Sequence, residues 1–378
     1  MSHNAIRPLT NIGDAPSHNP SLSAPNSAAL PYSRPATPGA HDHLRIGWIG
    51  VGALGYHMVG NLAKYPPARP PVALPIRIWN RSSERPRKLQ QELGNDKIVI
   101  AQSIEEVATT CDVIFTSLAA DDVVKGIYTK FAEALKAHPP SKNKIFVETS
   151  TVYPKISGEL DSLISSIPHC HLITSPVFGQ PAAAAARQLV AYMAGDYQSK
   201  KIVAHLLVPA VARKVSDLGG NLEKAPTFKL IGNAVILSSM EVIAEAYTMA
   251  AKSGIDQAVV AEFIKGEYQL FPSPIWLNYS NKMLNNLFDG SSGFAIDGGV
   301  KDATHIRHLS TDMNSPMPTV DVAFQHLLSA RALHESQKRA GNPEFPVLDW
   351  SAMVGGVRLA AGLPALHKDE GSSVEKDD

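Results

Sequence analysis

The sequence predicts a doubly wound α/β fold with a mostly parallel sheet, followed by an all-α C-terminal domain. Between residues 44 and 224, short apolar runs alternate with segments of helical periodicity, which is the pattern of parallel strands covered by helices on both faces. After about residue 220 the strand-like runs stop and helical patterns follow. A chain of 378 residues is also too long for one small core and suits two domains.

Each element of the α/β part follows from a local pattern. Short apolar runs predict strands at residues 45–49, 76–79, 98–100, 113–116, 145–148, 171–175, 190–193 and 213–215. Stretches with helical spacing predict intervening helices, among them 54–63, 84–93, 121–134 and 153–164. Residues 66–75, with the sequence PPARPPVALP, are rich in proline, so we expect a loop between the first helix and the second strand.

The C-terminal part has helical spacing throughout. Its predicted helices are 228–253, 257–265, 275–285, 301–311, 320–340 and 350–361. We therefore expect a first domain over residues 44–224 and an all-α domain over residues 225–366. The long helix 228–253 would lie between the two.

Both ends of the chain have the composition of disordered segments. Residues 1–43 are rich in Ser, Pro, Asn and Ala without apolar periodicity, and residues 367–378 form a charged tail. A mitochondrial transit peptide is the alternative for the N-terminal extension, because acids are scarce there and Arg7 and Arg34 are present. Its prolines oppose the amphipathic helix of such peptides, so we expect a cytoplasmic protein.

Composition and charge indicate which kinds of partner and compartment suit this chain. Hydrophobic residues make up 44% and charged residues 19%, the balance of a soluble globular protein. The 35 basic and 35 acidic residues cancel, which argues against a nucleic-acid partner. Two cysteines, Cys111 and Cys170, are too few for a disulfide framework and indicate a reducing compartment. Glu241 and Glu245 interrupt the longest apolar stretch, 235–251, so we expect no membrane span.

A glycine motif predicts a dinucleotide site in the first domain, which makes the expected fold of the Rossmann type. The sequence GVGALG fits G-x-G-x-x-G, follows the first predicted strand and opens the first predicted helix. The first glycine permits a tight turn, the second lets the backbone approach a pyrophosphate, and the third allows close packing of helix on strand. The helix N-terminus then faces the phosphates. The cofactor-binding residues of the motif are Gly50, Gly52, Ala53, Leu54 and Gly55.

The tip of the second strand favours NADP(H) over NAD(H). An acidic residue there would bind the ribose hydroxyls of NAD, whereas arginine accommodates the 2′-phosphate of NADP. The chain reads Asn80-Arg81-Ser82, with Arg87 and Lys88 close behind and no acid at the tip. Arg81 can pair with a phosphate through its planar guanidinium group.

A lysine near the start of the long helix is a candidate acid/base. Lys229 and Asn233 are four residues apart and share a helix face, which continues through the apolar Ile236 and Met240. Burial and the positive end of the helix dipole both lower the pKa of such an amine toward neutrality. From these residues alone, a lysine that extends along the helix end into solvent is the preferred interpretation.

Five motifs in order resemble the β-hydroxyacid dehydrogenase family, over residues 44–364. The family includes 3-hydroxyisobutyrate dehydrogenase and the tartronate semialdehyde and glyoxylate/succinic semialdehyde reductases, and has a 6-phosphogluconate dehydrogenase-type NADP-binding domain. The similar segments are the opening 47–58, Asn80-Arg81-Ser82 for an Asn-Arg-Thr element, Ser150-Thr151-Val152-Tyr153-Pro154 for Ser-Thr-x-x-Pro, Lys229 with Asn233 for Lys-x-x-x-Asn, and Lys301-Asp302 after Phe294.

The resemblance implies roles for these residues. Lys229 would be the general acid/base and Asn233 would position the substrate. Ser150 would hold a substrate carboxylate with backbone amides around Gly179. The other implied substrate-binding residues are Thr151, Phe178 and Gln180, and the other implied cofactor-binding residues are Leu118, Ala119, Phe294 and Lys301. The expected reaction is hydride transfer between NADP(H) and a small β-hydroxy acid/aldehyde-acid pair. A homodimer or homotetramer through the helical domain is implied as well.

The chain departs from the family pattern in two places. Where the family has Asp-Ala-Pro-Val-Ser-Gly-Gly, residues 174–180 read TSPVFGQ, so Phe178 replaces a hydroxyl and Gln180 replaces a glycine. A more apolar pocket would suit an imine or a bulkier ketone, which is one alternative function. A non-catalytic NADP-binding scaffold is another, although such relatives have lost the lysine. The glycine-rich approach to Lys229 is also replaced, by 223–226, in which Lys224 is expected at the surface.

Two clusters of histidines are not expected to be functional. His169-Cys170-His171 looks like a metal cluster, but strand alternation sends Cys170 to the opposite face from the histidines, so no metal is expected. His305 and His308 share a helix face and are expected to be solvated or interdomain.

Overall fold

The computed structural model describes residues 30–33, 43–68, 70–267, 274–291 and 293–366. An α/β region comes first and a helical region follows, which confirms the predicted fold class. Predictions for residues 1–29, 34–42 and 367–378 lie outside the described residues.

In the described chain, nine strands form one curled, mostly parallel sheet. The strands are β1 (Leu44–Ile49), β2 (Val72–Trp79), β3 (Ile98–Ile100), β4 (Val113–Thr116), β5 (Lys144–Glu148), β6 (Cys170–Thr174), β7 (Val177–Phe178), β8 (Leu189–Gly195) and β9 (Ala212–Asp217). They lie in the order β3-β2-β1-β4-β5-β6-β8-β7, with β9 parallel to β8. The first six are parallel neighbours, whereas β8 is antiparallel to β6 and β7. Ligands of such sheets bind at the carboxyl ends of the strands.

Helices connect these strands. They are α1 (Ala53–Lys64), α2 (Glu84–Leu93), α3 (Ile104–Thr110), α4 (Asp121–Ala137), α5 (Pro154–Ser165), α6 (Pro181–Ala185) and α7 (Tyr197–Leu207). The sequence analysis gave no bounds for α3, α6 or α7 and did not include the two-residue strand β7.

The predicted loop 66–75 is wrong at its C-terminal end, because β2 already begins at Val72. Proline lacks the N–H that a central strand donates, so it is tolerated only where the ladder is irregular. Pro75 lies at such a point: Ala73 pairs with Arg45, and the register has shifted where Arg77 pairs with Gly47.

The helical region is built around α8 (Lys224–Lys252). The other helices are α9 (Gln257–Glu262) with a π-helical turn (Phe263–Glu267), α10 (Pro274–Leu284), α11 (Ile296–Asp312), α12 (Pro318–Arg339), and α13 (Val354–Ala360) after a 3-10 turn (Trp350–Met353). α8 contacts each of α9 to α13. It begins four residues before the predicted start at residue 228, because a proline in the first turn removes an N–H that would be unpaired anyway.

The expectation that no stretch is long and apolar enough for a membrane span is wrong for α8. By length and composition alone this 29-residue helix could cross a membrane, and in the described chain it is the one helix that passes that test. Of its most apolar stretch, 44% is buried inside the protein. Glu241 is buried and lies 2.6 Å from His326 Nδ1 on α12. This contact joins α8 to α12.

Four residues of the predicted disordered extension lie against the α/β region. The Tyr32 side chain is 7% exposed and makes an edge-on contact with the Tyr197 ring at 5.7 Å. The Ser33 carbonyl oxygen lies 3.2 Å from His205 Nε2 on α7. Burial of an aromatic ring accounts for order at this point despite the polar composition around it.

Candidate active site

The glycine motif forms the predicted turn between β1 and α1. Gly50 has a φ of 97°, and a Cβ there would overlap with the Ser117 carbonyl oxygen. A Cβ on Gly55 would overlap with the Gly50 carbonyl oxygen, so both positions require glycine. A Cβ on Gly52, which caps α1, would meet no atom of the described chain within 4 Å. This open space at a helix N-terminus fits a dinucleotide pyrophosphate.

The tip of β2 is tied to this turn. Asn80 Oδ1 accepts a hydrogen bond from the Val51 amide at 2.9 Å, and Asn80 Nδ2 donates to the Ser82 carbonyl oxygen at 2.9 Å. Asn80 therefore shapes the loop. Arg81 and Ser82 are exposed at its tip, where their side chains can reach a nucleotide ribose or its phosphate.

The loops after β4 and β5 meet at the carboxyl edge of the sheet. The Leu118 amide donates to Ser150 Oγ at 2.7 Å, and Ala119 beside it is exposed. Lys301 on α11 donates from Nζ to the Thr151 carbonyl oxygen at 2.7 Å. The structure thus brings four predicted site residues, Leu118, Ser150, Thr151 and Lys301, to one place.

Phe294 precedes α11 and supports its first turn. Its ring packs against Trp350 at 4.7 Å and lies over Gly298. Trp350 in turn covers Gly299. These contacts fix the start of the helix that carries Lys301, so Phe294 acts in this structure through packing.

Lys229 lies in the second turn of α8, against the ring of Phe178. Its Nζ atom is 4.1 Å from the ring centroid, a distance at which the ring face attracts an ammonium group. Burial lowers the pKa of Lys229 from 10.5 to about 8; nearby Asp302 opposes this fall and Lys301 adds to it. An amine with this pKa exists in both protonation states near neutral pH.

Asn233 lies one turn further along α8, on the same helix face as Lys229. Its Nδ2 atom donates to Asp302 Oδ2 at 2.6 Å, and Asp302 Oδ1 lies 3.2 Å from Lys301 Nζ. Asp302 is fully buried. It therefore links the Lys229–Asn233 face of α8 to the lysine that reaches the loop after β5.

The Phe178 ring is fixed on several sides. It makes edge-on contacts with Tyr192 at 5.5 Å and Phe228 at 6.1 Å. A Cβ on Gly232 would overlap with its ring carbons, so the ring lies directly on the backbone of α8. Gly179 next to it is exposed, with a φ of 137°.

Gln180 contacts the helical region. Its Nε2 atom donates to the Tyr279 hydroxyl at 3.0 Å, which also accepts from Trp350 Nε1 at 2.8 Å. The predicted residue thus joins the loop after β7 to α10. Tyr279 and Trp350 were missed by the sequence analysis, because no local pattern marks a contact between such distant segments.

Glu148 at the end of β5 was also missed. Its Oε1 atom accepts from the Ser150 amide at 2.6 Å and its Oε2 atom from Thr116 Oγ1 at 2.7 Å. Burial raises the pKa of Glu148 to about 7, although its hydrogen bonds to Ser150 and Thr116 counter that rise. An acidic residue at the end of an otherwise apolar strand is the signal that could have identified it.

Two of the histidines join the α/β and helical regions. His305 Nε2 on α11 lies 3.3 Å from Asp121 Oδ1 on α4, and the His308 ring stacks on Tyr153 at 4.4 Å. Tyr153 donates from its hydroxyl to Asp312 Oδ2 at 2.6 Å. The interdomain interpretation of both histidines is confirmed. Among the described residues, no three His, Cys, Asp or Glu side chains are placed to hold a metal ion.

Comparison with known families agrees with this geometry. The profile of the NAD binding domain of 6-phosphogluconate dehydrogenase matches residues 45–219. A second profile, the NAD-binding domain of NADP-dependent 3-hydroxyisobutyrate dehydrogenase, matches residues 224–342. The chain belongs to the β-hydroxyacid dehydrogenase family. This protein is therefore an oxidoreductase that binds a nicotinamide dinucleotide.

Curated relatives of this β-hydroxyacid dehydrogenase family member are similar along most of the chain. The NADH-dependent oxidoreductase ucdB of Aspergillus ustus is 26% identical over 312 residues, covering 82% of this chain and 98% of the relative. Glyoxylate/succinic semialdehyde reductase 1 of Arabidopsis thaliana is 23% identical over 319 residues, covering 84% and 99%. The 3-hydroxyisobutyrate dehydrogenase of Mycobacterium tuberculosis, solved with L-serine, shares the fold with a TM-score of 0.64 at 21% identity, covering 84% and 100%.

Proposed function

We propose that this protein is an NADP(H)-dependent oxidoreductase that interconverts a carbonyl compound and its alcohol, with Lys229 as the general acid/base. The observation that carries the proposal is the partly buried Lys229 amine, with a pKa lowered to about 8, on the helix that faces the loop after β5. The bound cofactor supplies the hydride. Lys229 as an ammonium donates a proton to the forming alkoxide, and as a neutral amine it removes the hydroxyl proton in reverse.

The residues around that amine would position the substrate. Asn233 is held by Asp302, so its side chain keeps one orientation beside Lys229. Lys301 holds the Thr151 backbone to α11 at the carboxyl edge of the sheet. These bonds would keep Lys229 at a fixed position relative to the loop where the cofactor binds. Fixing the reacting groups in this way is the main contribution of a protein to hydride transfer.

Arg81 supports the choice of NADP(H). It is exposed at the tip of β2, and no acidic residue occupies that tip. Asn80 at the tip is bound to the Val51 amide rather than turned toward a ribose. A charged hydrogen bond is worth about 1.5–3 kcal/mol, which corresponds to about a tenfold to hundredfold change in affinity.

The test of the cofactor is Arg81→Ala, with Arg213→Ala on exposed β9 as the matched control. We expect the Kd of NADPH to rise by about tenfold to a hundredfold, while the Kd of NADH and both values of the control stay unchanged. Equal losses for the two nucleotides would contradict the assignment.

The first candidate substrate class is the small β-hydroxy acid/aldehyde-acid pair that the family implies. An imine or a bulkier ketone is the second candidate, favoured by the Phe178 ring beside Lys229. A panel of glyoxylate, succinic semialdehyde, methylmalonate semialdehyde, ketones and cyclic imines, with loss of NADPH absorbance as readout, distinguishes them. Tight NADPH binding without turnover of any compound would favour a non-catalytic scaffold.

A homodimer or homotetramer through the helical domain is also proposed. Ile231, Val235, Val242 and Met249 follow one face of α8 and are between 48% and 68% exposed. An apolar stripe of this length is typical of a face that pairs with a second copy. Met249→Glu should lower the mass measured by light scattering to that of a monomer, whereas Val322→Glu on exposed α12 should not.

We further propose a cytoplasmic location, with a mitochondrial one as the alternative. The two cysteines are free and buried, which suits a reducing compartment. Microscopy of a fusion that leaves the N-terminus free tests this, and co-localisation with mitochondria would contradict it.

A further inference from the structure

We propose that Glu148 is a positioning residue that holds the loop after β4 and the loop after β5 together, so that binding of the cofactor also fixes the substrate-binding loop. The loop after β4, residues 117–120, is called the cofactor loop, and the loop after β5, residues 149–153, the substrate loop. This inference rests on the proposed function and adds a residue to its site.

The carboxyl group of Glu148 joins the ends of the two strands. Glu148 is the last residue of β5 and is 1% exposed. Its Oε1 atom accepts from the Ser150 amide in the substrate loop at 2.6 Å. Its Oε2 atom accepts from Thr116 Oγ1, directly before the cofactor loop, at 2.7 Å. Each carboxyl oxygen therefore binds a different loop.

Further hydrogen bonds between the two loops complete a closed set. The Leu118 amide donates to Ser150 Oγ at 2.7 Å. Thr149 donates to the Thr116 carbonyl oxygen from its amide at 3.0 Å and from its Oγ1 atom at 2.6 Å. Movement of one loop would break bonds to the other. The bonds to Glu148 are the strongest of the set when its carboxyl group is charged.

The cofactor loop also contacts the glycine turn. A Cβ on Gly50 would overlap with the Ser117 carbonyl oxygen and contact the Leu118 side chain. The Ser117 amide donates to the Ile49 carbonyl oxygen at 2.9 Å. β1 and β4 are neighbours where the strand order reverses, which is where ligands of such sheets bind. A nucleotide bound at the glycine turn would therefore lie against the cofactor loop.

The substrate loop is tied in turn to the helix that carries the candidate acid/base. Lys301 donates to the Thr151 carbonyl oxygen at 2.7 Å and pairs with Asp302 at 3.2 Å. Asp302 accepts from Asn233 on α8 at 2.6 Å, on the helix face that carries Lys229. A displaced substrate loop would therefore change the distance between a bound carbonyl group and Lys229.

Stability alone does not account for a carboxylate at this position. The hydrogen-bond partners of Glu148 in the described chain are an amide and hydroxyl groups rather than a cation. Burying a carboxylate without a cation is costly, and burial raises the pKa of Glu148 to about 7. What the carboxylate offers is two strong acceptors at fixed positions, one for each loop.

Hydrogen–deuterium exchange with mass spectrometry tests this coupling without a substrate. Exchange in the two loops is measured with and without saturating NADPH, or NADH if that binds more tightly. A pH of about 8 keeps Glu148 mostly charged. In the wild type we expect the nucleotide to slow exchange in both loops by about tenfold or more. In Glu148→Gln, which keeps the shape and removes the charge, only the cofactor loop should respond.

A matched pair of variants tests the bond to Thr116. Thr116→Val removes the hydroxyl that binds Glu148 and should behave as Glu148→Gln does. Thr116→Ser keeps the hydroxyl and should retain the response of both loops. Glu133→Gln, at an exposed position on α4, removes a carboxylate elsewhere and should leave both loops as in the wild type.

The wild type alone can refute the inference, so folding of a variant does not limit the test. A nucleotide that slows exchange in the cofactor loop alone, or in neither loop, would overturn it. A Glu148→Gln protein in which both loops respond as in the wild type would overturn it as well.

Steady-state kinetics add a second readout, with the compound of the substrate panel that is reduced fastest. A displaced substrate loop should lower kcat/KM in Glu148→Gln by about tenfold to a hundredfold, with a higher KM for the carbonyl compound. Partial unfolding would lower kcat and leave KM unchanged, which would contradict a positioning role. If the proposed function fails, the wild type reduces no compound although the nucleotide still slows exchange in both loops.

Discussion

Replacement of Lys229 by methionine tests the mechanism most directly. Burial lowers the pKa of this lysine from 10.5 to about 8. At about pH 7, about a tenth of the amine is then neutral, against about 0.03% for an ordinary lysine. The neutral form, which would accept the proton in the proposed alcohol oxidation, is about 300-fold more abundant than it would be in water.

The pH profile of the wild type follows from this value. Reduction requires the ammonium form, so its rate should be constant below about pH 8 and fall about tenfold per pH unit above it. Oxidation requires the neutral amine, so its rate should rise up to about pH 8 and then level off. A profile with no change near pH 8 in either direction would refute the assignment.

Lys229→Met keeps a long, unbranched side chain and removes the amine that carries the proton. Loss of one general acid/base should lower kcat by about a hundredfold to ten-thousandfold, while the Kd of NADPH stays unchanged. The assay is the steady-state loss of NADPH absorbance with a saturating substrate. Lys224→Met, an exposed lysine five residues earlier on α8, is the control and should retain full activity. Unchanged turnover in Lys229→Met would remove the basis of the mechanism.

The same substitution should stabilise the fold. A lysine whose pKa is lower in the folded state destabilises that state at neutral pH, by an upper limit of about 3 kcal/mol for a fall from 10.5 to about 8. This cost disappears as the pH rises from about 8 to about 10.5. Urea denaturation should therefore show Lys229→Met as the more stable protein at about pH 7, with a smaller difference at about pH 10. A less stable variant at both values would contradict the burial argument.

Three further predictions concern packing. Gly232→Ala places a methyl group inside the Phe178 ring, so we expect a loss of about 1–3 kcal/mol in urea denaturation and a lower kcat. The hydrogen bond to Glu241 raises the pKa of His326, so the charged histidine stabilises the fold at low pH and this contribution is lost as the pH rises through the raised value. His326→Gln should therefore destabilise the protein most below about pH 6.5. Denaturation at about pH 6 and pH 8.5 measures this. Tyr32→Ala should lower the free energy of unfolding by about 1.5–3 kcal/mol, as seen by thermal melting, if the buried ring anchors its segment.

Each packing prediction has a control or a contrary result. Gly126→Ala on α4, where a Cβ meets no atom within 4 Å, should be neutral or stabilising by about 1 kcal/mol. A His326→Gln effect that is equal at both pH values would mean that the charge of the histidine is unimportant. Pro31→Ala, at an exposed position beside Tyr32, should leave the melting temperature unchanged.

Several elements of this fold could be predicted from the sequence with their bounds. β3 and β4 have the predicted bounds, and α2 does too, because apolar spacing and end signals agree there. α11 was predicted to start at residue 301 but begins at Ile296, since the paired glycines 298 and 299 hide its first turn. β7 has two residues, too few for any period, and its existence depends on pairing with β8.

The site could be predicted only in part. Local motifs identified Lys229, Asn233 and Ser150 because each lies in a short pattern with a known spacing. The contact between Lys229 and Phe178 depends on how the β7–β8 hairpin meets α8, which no local pattern contains. The conformation of Ser150 depends likewise on Glu148, whose carboxyl group accepts a hydrogen bond from the Ser150 amide in the loop that follows.

In the proposed mechanism, the hydride and the proton that the carbonyl receives come from different parts of the chain. The cofactor that gives the hydride would bind at the glycine turn of the sheet, whereas Lys229 on α8 would give the proton. Three contacts cross the boundary close together: Lys301 with Thr151, His305 with Asp121, and Asp312 with Tyr153. These contacts hold α11 against the α/β region, and we expect them to fix the distance between the hydride donor and the proton donor. Weakening these contacts should therefore slow the reaction.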